Sequence, residues 1–310
     1  MRMRRWIAAL ASAAVIGVGA FWYLTIPERL PEAEIAALAP GDPINGEKMF
    51  RAGGCASCHA GPNAEADGDL PRLAGGVELS TPFGVFVAPN ISQHGTDGIG
   101  SWTLSDFANA MQKGVSPSGQ HLYPAFPYTS YARMKLTDVS DLYAYMKTLP
   151  AIEGAAADHR LGFPFTLRRG LGLWKLANLS PEPVADLANA SPQVLAGQYL
   201  VEGPGHCGEC HTPRNWTGGT DKSQWLAGAV AAEGEGRVPN ITPEGRDVSG
   251  WSEDEIAEYL ASGFTPEFDS AGGSMADVVK NMSKLTSDDR LAIAAYLKAI
   301  PGHANGYPAR

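Results

Sequence analysis

Hydrophobic positions follow two patterns along this chain. The first is an unbroken run: Trp6 to Ile26 carries no charge and follows Arg2, Arg4 and Arg5. Its length is that of a helix crossing a bilayer. Phe21, Trp22 and Tyr23 stand at its far end, where interfacial aromatics belong, and the arginines place the N-terminus in the cytoplasm. A cleaved signal peptide ending at Val18-Gly19-Ala20 is the competing reading. The retained anchor is the expectation, and either reading exports everything after Pro27. The second pattern is helical spacing. Apolar residues recur at three- and four-residue intervals over Phe107, Ala110 and Met111, over Val139, Leu142, Tyr143, Tyr145 and Met146, over Ile256, Tyr259 and Leu260, and over Leu291, Ala294, Ala295 and Leu297. Two of these helices open on Ser252-Glu253-Asp254-Glu255 and Thr286-Ser287-Asp288-Asp289, and Pro150 and Pro301 stop the closing ones. No convincing strand alternation appears, so the expectation is all-α.

These segments occur twice in the same order. Cys55 pairs with Cys207, Pro89-Asn90-Ile91 with Pro239-Asn240-Ile241, Trp102 with Trp251, Gly114 with Gly263, and Leu149-Pro150 with Ile300-Pro301. Their offsets stay between 149 and 152 residues, which marks two copies of one unit. Each copy predicts a helix leading to its cysteine motif, near 45–53 and 192–202, then a long loop, a middle helix, a second loop and a closing helix. Residues 27–42, rich in Pro and Ala, read as a tether. Residues 151–190 read as a connector whose aromatics pack it against both copies. The boundaries are therefore 1–26 for the anchor or signal, 27–42 for the tether, 43–150 for the first unit, 151–190 for the connector and 191–304 for the second unit.

The chemistry lies in Cys55-Ala56-Ser57-Cys58-His59 and Cys207-Gly208-Glu209-Cys210-His211. They hold all four cysteines of the chain. Cys-x-x-Cys-His is the attachment signature of c-type haem: two thiols one helical turn apart form thioethers, and the next residue presents an imidazole to iron. A thioredoxin-like disulfide needs a βαβ context that is not visible here. A zinc site needs four ligands together, and these pairs are far apart in sequence. The composition changes this picture little. With 24 basic and 33 acidic residues the net charge is −9, which argues against nucleic acid as a partner. Gly (36) and Pro (23) are abundant, as suits long ordered loops.

His121-Leu122-Tyr123-Pro124-Ala125-Phe126-Pro127-Tyr128, Leu142-Tyr143-Ala144-Tyr145 and His206-Cys207-Gly208-Glu209-Cys210-His211-Thr212-Pro213-Arg214-Asn215 carry a resemblance. Each unit resembles a class I cytochrome c domain. The chain after the anchor resembles the membrane-bound cytochrome c subunits that accept electrons from periplasmic alcohol, gluconate or aldehyde dehydrogenases. Relatives of that kind usually carry three haems, and this chain has two motifs. The resemblance implies tandem class I domains behind a transmembrane helix at the inner membrane, with two covalent haem c groups facing the periplasm. The donor would be a dehydrogenase or other respiratory component. The acceptor would be a terminal oxidase, a soluble cytochrome or a quinone.

The expected proximal ligands are His59 and His211. The sixth ligand should come from the loop before each closing helix. The resemblance points to Met275 in the second unit, with Met282 as the alternative. In the first unit relatives place Met where this chain has Phe126. Met134 is the expected replacement, with His121, an open site or Met111 as alternatives. Pro89 and Pro239 are candidates to hold the proximal imidazoles. Trp102, Trp251 and Arg214 are candidates to face propionates, His94, His159 and His303 read as surface residues, and His206 is given no role. The expected function is electron relay, not catalysis. The alternative is a dihaem peroxidase or thiosulfate-oxidising enzyme with one open or unusually ligated haem.

Overall fold

The computed structural model describes residues 2–61, 70–187, 189–231, 236–245 and 248–307. The fold is mostly helical. The apolar run forms α1 (Arg2–Leu24), exposed along its whole length. A short α2 (Glu32–Ala36) follows. The first half then contains α3 (Pro43–Ala52), the motif helix α4 (Cys55–His59), α5 (Leu104–Lys113), the short α6 (Tyr128–Tyr131) and α7 (Leu136–Met146). The connector holds α8 (Leu171–Asn178). The second half contains α9 (Pro192–Glu202), the motif helix α10 (Gly208–His211), α11 (Glu253–Ser262), α12 (Ser274–Met282) and α13 (Ser287–Ala299).

Capping chemistry sets the helix ends. Thr103 with Asp106, Ser252 with Glu255 and Thr286 with Asp289 form reciprocal capping boxes at the starts of α5, α11 and α13. The two middle helices stop at Gly114 (φ 58°) and Gly263 (φ 79°), both in the left-handed region that a Cβ disfavours.

Two separate cores form. One gathers Met49 and Phe50 from α3, Phe107 and Met111 from α5, and Val139, Leu142 and Tyr145 from α7. The other gathers Leu200 and Val201 from α9, Ile256 and Leu260 from α11, and Ile293, Tyr296 and Leu297 from α13. In each half the first and last helices cross at a glycine. A methyl group on Gly46 would overlap the Asp141 carbonyl, and one on Gly197 would overlap the Ala292 carbonyl. The two glycines are 151 residues apart, and the backbones can approach only because neither carries a side chain.

Three expectations need correction. The fold contains short strands as well as helices. β1 (Glu78–Thr81), β2 (Gly84–Val87) and β3 (Arg160–Leu161) pair antiparallel in that order, and β4 (Ala229–Val230) pairs with β5 (Arg237–Val238). At two to four residues they are too short for alternation to show in the sequence. Residues 27–42 are no free tether. Leu30 N–H donates to Asn109 Oδ1 (2.8 Å), Arg29 donates to the carbonyls of Ser116 and Pro117, and Ile35 is buried in the first core. His159 is no simple surface residue, since its ring packs edge-on against Phe86 and Tyr123. The connector packs as expected: Trp174 meets Tyr128 of the first half and donates its indole N–H to Thr217 O of the second.

Gly46→Ala and Gly197→Ala are each expected to destabilise the protein by about 1–3 kcal/mol or more through overpacking. Gly95→Ala, where the added Cβ meets open space, should leave the thermal midpoint within error. Thermal unfolding of the three purified variants checks the difference.

Candidate cofactor site

The two cysteine motifs are held by the same set of bonds. Residues three apart on one helical turn share a face, so Cys55 and Cys58, like Cys207 and Cys210, present both thiols to one side. Burial pushes the thiols of Cys55 and Cys207 up to about 12. A redox dithiol works by the opposite shift, toward thiolate; Cys58 and Cys210 are the exposed members of the two pairs. Among the described residues no three His, Cys, Asp or Glu side chains converge as a metal cluster, and the two pairs do not combine into one zinc site.

Each motif histidine is fixed through one ring nitrogen. His59 Nδ1 lies 2.8 Å from Pro89 O, and His211 Nδ1 lies 2.8 Å from Pro239 O. A carbonyl only accepts, so Nδ1 carries the proton and Nε2 keeps its lone pair for a metal. Burial holds both imidazoles below their ordinary pKa and therefore neutral. Each ring's own backbone is tied down as well: Gly75 N–H donates to His59 O (2.8 Å) and Gly228 N–H to His211 O (2.7 Å).

The geometry explains the repeated Pro-Asn-Ile landmark. β2 and β5 each run directly into it. Pro supplies the carbonyl for the imidazole. Asn90 and Asn240 turn the loop by accepting from Ser92 N–H and Thr242 N–H, both at 2.9 Å. Their amides then donate to Ile152 O and His303 O beyond the closing helices. Ile91 and Ile241 pack on the two cores.

The sixth-ligand candidates divide. Met275 lies in the first turn of α12 and packs against the second core, which Cys207, Trp251 and Tyr259 also line. Met282, at the other end of α12, is buried in that core. Met134 is buried in the first core, which Cys55 also borders. It stands immediately before Lys135, the N-cap of α7, just as Leu285 stands before Thr286, the N-cap of α13. Phe126 precedes α6 and packs edge-on against Tyr131 (5.5 Å between centroids). Met111 is an ordinary core residue. His121 is committed elsewhere: its Nε2 lies 3.0 Å from Thr25 O at the base of α1. Arg214 likewise turns to Glu209, whose carbonyl (2.6 Å) and carboxylate (3.0 Å) it meets.

The residues fit a covalently attached haem at both motifs: paired thiols, a neutral imidazole with Nε2 spare, and a left-handed residue leading into the motif. Gly54, just ahead of the first motif, is left-handed (φ 55°). His206 takes that place in the second copy at φ 39°, a conformation costly for a residue with a Cβ. Its ring makes use of the position. Nε2 lies 3.1 Å from Gly53 O, and the ring packs edge-on against Tyr131.

His206 belongs to a seam that sequence reasoning missed. Ser57, inside the first motif, accepts from Asn281 of the second half (3.0 Å). Glu209, inside the second motif, accepts from Thr129 (2.9 Å) and Ser130 (3.3 Å) of the first half. Lys48 pairs with Asp289 (2.6 Å), and Tyr199 donates to Asp138 in answer. Partners map onto each other by the repeat offset, so the seam is a pseudo-twofold interface. Each motif is bonded across it to the opposite half. The one available signal was the polar middle residue of each motif.

Buried beside the seam is Glu202, at 2% exposure. Its carboxylate accepts from Tyr296 Oη (2.6 Å), Gln198 Nε2 (3.0 Å) and the N–H groups of Val184 and Ala185, with Arg133 at 4.0 Å. Tyr296 in turn accepts from Trp225 Nε1 (2.9 Å), and the Trp225 ring lies where a Cβ on Gly208 of the second motif would stand. Glu202→Ala is expected to cost about 3–5 kcal/mol, because it leaves the buried donors on Tyr296, Gln198, Val184 and Ala185 without their acceptor and takes the carboxylate from beside Arg133. Glu202→Gln should recover part of the loss. Chemical denaturation of both variants is the check.

Comparison with known proteins places these features. A family model described as Cytochrome c matches residues 44–150. The chain is 51% identical over 300 residues to a "Diheme cytochrome c-type" protein of Cereibacter sphaeroides, covering 96% of this chain and 99% of that one. It is 37% identical over 274 residues to the "Alcohol dehydrogenase (quinone), cytochrome c subunit" of Gluconobacter oxydans, covering 84% and 55%. It is 36% identical over 262 residues to the "Fructose dehydrogenase cytochrome subunit" of Gluconobacter japonicus, covering 84% and 52%. The chain thus spans about half the length of these two dehydrogenase subunits.

Proposed function

The chain belongs to the cytochrome c family, and from that premise we propose that it holds two covalent haem c groups in tandem cytochrome c domains, 43–150 and 191–304, and passes electrons from one to the other. The seam carries this reading: Ser57 and Glu209, both inside haem-attachment motifs, bond across it to the opposite half. When bound, each haem supplies a one-electron iron couple. The chain's part is to attach, orient and insulate. Cys55 and Cys58, and Cys207 and Cys210, form the thioethers. His59 and His211 ligate iron through Nε2, oriented by Pro89 and Pro239. Met275 supplies sulfur to the second iron, and Met134 is assigned to the first. No residue here is asked to make or break a substrate bond.

The donor is a periplasmic dehydrogenase, by analogy with the alcohol and fructose dehydrogenase subunits among the relatives. The acceptor is a terminal oxidase, a soluble cytochrome or a quinone. The apolar helix α1 is long enough to span a membrane. It anchors the chain with its N-terminus in the cytoplasm and the haem domains in the periplasm.

A second reading of the first haem is favoured by one observation. Met134 holds the place of Leu285 ahead of the closing helix, and Phe126 precedes α6 where Met275 begins α12. In that reading the first iron has no sulfur ligand, which keeps the dihaem-enzyme alternative in view.

Purified protein from a host that matures c-type cytochromes should exceed its polypeptide mass by two haem groups. Cys207→Ala/Cys210→Ala should carry one. A colourless wild type or an unaltered mass overturns the proposal. Carbon monoxide titration of the reduced protein separates the two ligand readings. If Met134 ligates, the wild type stays inert and Met134→Leu opens one haem. If it does not, the wild type already binds one equivalent, Met134→Leu changes nothing, and Phe126→Met closes the site. Met275→Leu should open the second haem in either case.

A further inference from the structure

Helix α8 is inverted. Its buried residues are Gly172, Lys175 and Asn178, while Leu173 and Leu176 are 43% and 66% exposed. An ordinary surface helix buries its apolar stripe and shows its polar one. Here the inward side chains are held by specific polar bonds. Lys175 Nζ donates to the carbonyls of Lys113 (2.6 Å) and Gly114 (2.7 Å) at the end of α5. Asn178 Nδ2 donates to Thr217 Oγ1 (3.1 Å). Gly172 lies so close to Thr25 that an added Cβ would stand 2.6 Å from its Cα. These contacts fix the helix rotation and leave the leucines facing out.

The apolar face continues on both sides. Phe163 (81% exposed) and Leu167 (59%) precede α8, and Trp216 (96%) follows the second motif. Trp216 is kept near the helix by the bond from Trp174 Nε1 to Thr217 O (3.0 Å). Residues 161–179 contain Arg168, Arg169 and the inward-facing Lys175 and no Asp or Glu, within a chain of net charge −9.

The same segment grips the base of α1. Arg169 donates to Thr25 Oγ1 (2.8 Å) and Trp22 O (2.9 Å), and its guanidinium lies 4.2 Å from the Trp22 ring centroid. Thr25 is fully buried, and His121 holds its carbonyl. α1 therefore leaves the body at a clamped joint, and the apolar face is carried by the clamp itself.

We infer that Phe163, Leu167, Leu173, Leu176 and Trp216 form a monotopic face that sits in the headgroup region of the membrane crossed by α1. This rests on reading α1 as a retained anchor. Lipid is the occupant because the face is continuous with the anchor. Trp22 belongs at the level of the interfacial aromatics, and the arginine stacked on it lies in the segment that presents the leucines. The segment carries Arg168 and Arg169 and no acid in its sequence, and although both guanidiniums are bonded within the protein their charge suits anionic headgroups. The consequence is a fixed stance: the domains are held against the bilayer in one orientation.

The full chain in vesicles of phosphatidylethanolamine and phosphatidylglycerol, doped with a lipid bearing a diazirine near the glycerol end of its acyl chain, provides the test. After irradiation and proteolysis, adducts are mapped by mass spectrometry. Peptides covering α1 and 161–179 should carry lipid at least tenfold above the peptide of α3. Leu173→Glu/Leu176→Glu should lower labelling of 161–179 at least threefold and leave that of α1 unchanged. Labelled α1 beside unlabelled 161–179 overturns the inference and assigns the face to a protein partner. An absent or unlabelled α1 instead overturns the anchor reading on which it rests.

Discussion

Each half of this protein depends on the contact of two backbones. α3 crosses α7 at Gly46, and α9 crosses α13 at Gly197, with the glycine of one helix against a carbonyl of the other. That crossing sets how α3 and α9 lie on α7 and α13, and so where in space the cysteine motifs begin a few residues later. It also sets where the chain emerges after α7 and α13, where Ile152 O and His303 O take the amides of Asn90 and Asn240. Pro89 and Pro239 sit beside those asparagines. The imidazole orientation is thus a consequence of helix packing two steps away.

The repeat serves a second purpose at the seam. One surface patch, present on both copies, meets itself: Ser57 with Asn281 and Glu209 with Ser130, Lys48 with Asp289 and Tyr199 with Asp138. Individual bonds of this kind contribute little in water, about 1 kcal/mol each. Together with Glu202, buried among donors from α9, α13 and the connector, they hold the two cysteine motifs in one relation. For the electron relay proposed above, a fixed relation between the two motifs matters more than the stability these bonds add.

The connector and the segment after α1 complete the joint. Arg29, Leu30 and Ile35 bind the first half, Arg169 and His121 hold the end of α1, and α8 spends its polar side chains on the interior. The polar interior of α8 is what frees its leucines to face outward.

Much of the site was legible in the sequence because its chemistry is local. Cys-x-x-Cys-His needs five consecutive residues, and a bilayer-spanning run needs about twenty apolar ones. Capping boxes are four residues long, and the repeat made Pro89 and Pro239 visible as a pair. The helices and the two Cys-x-x-Cys-His motifs could be read at that range. What the chain does over longer distances could not. Strands of two to four residues carry no period, so β1 to β5 went unseen. His121 looked like a ligand candidate until its ring was found on Thr25, nearly a hundred residues away. Met134 and Phe126 differ in role only through their place relative to α6 and α7. His206 and Glu209 acquire partners only when two halves meet. Short-range spacing along the chain determined which chemistry this protein carries; only packing between distant segments decided how each cysteine motif is held against the opposite half.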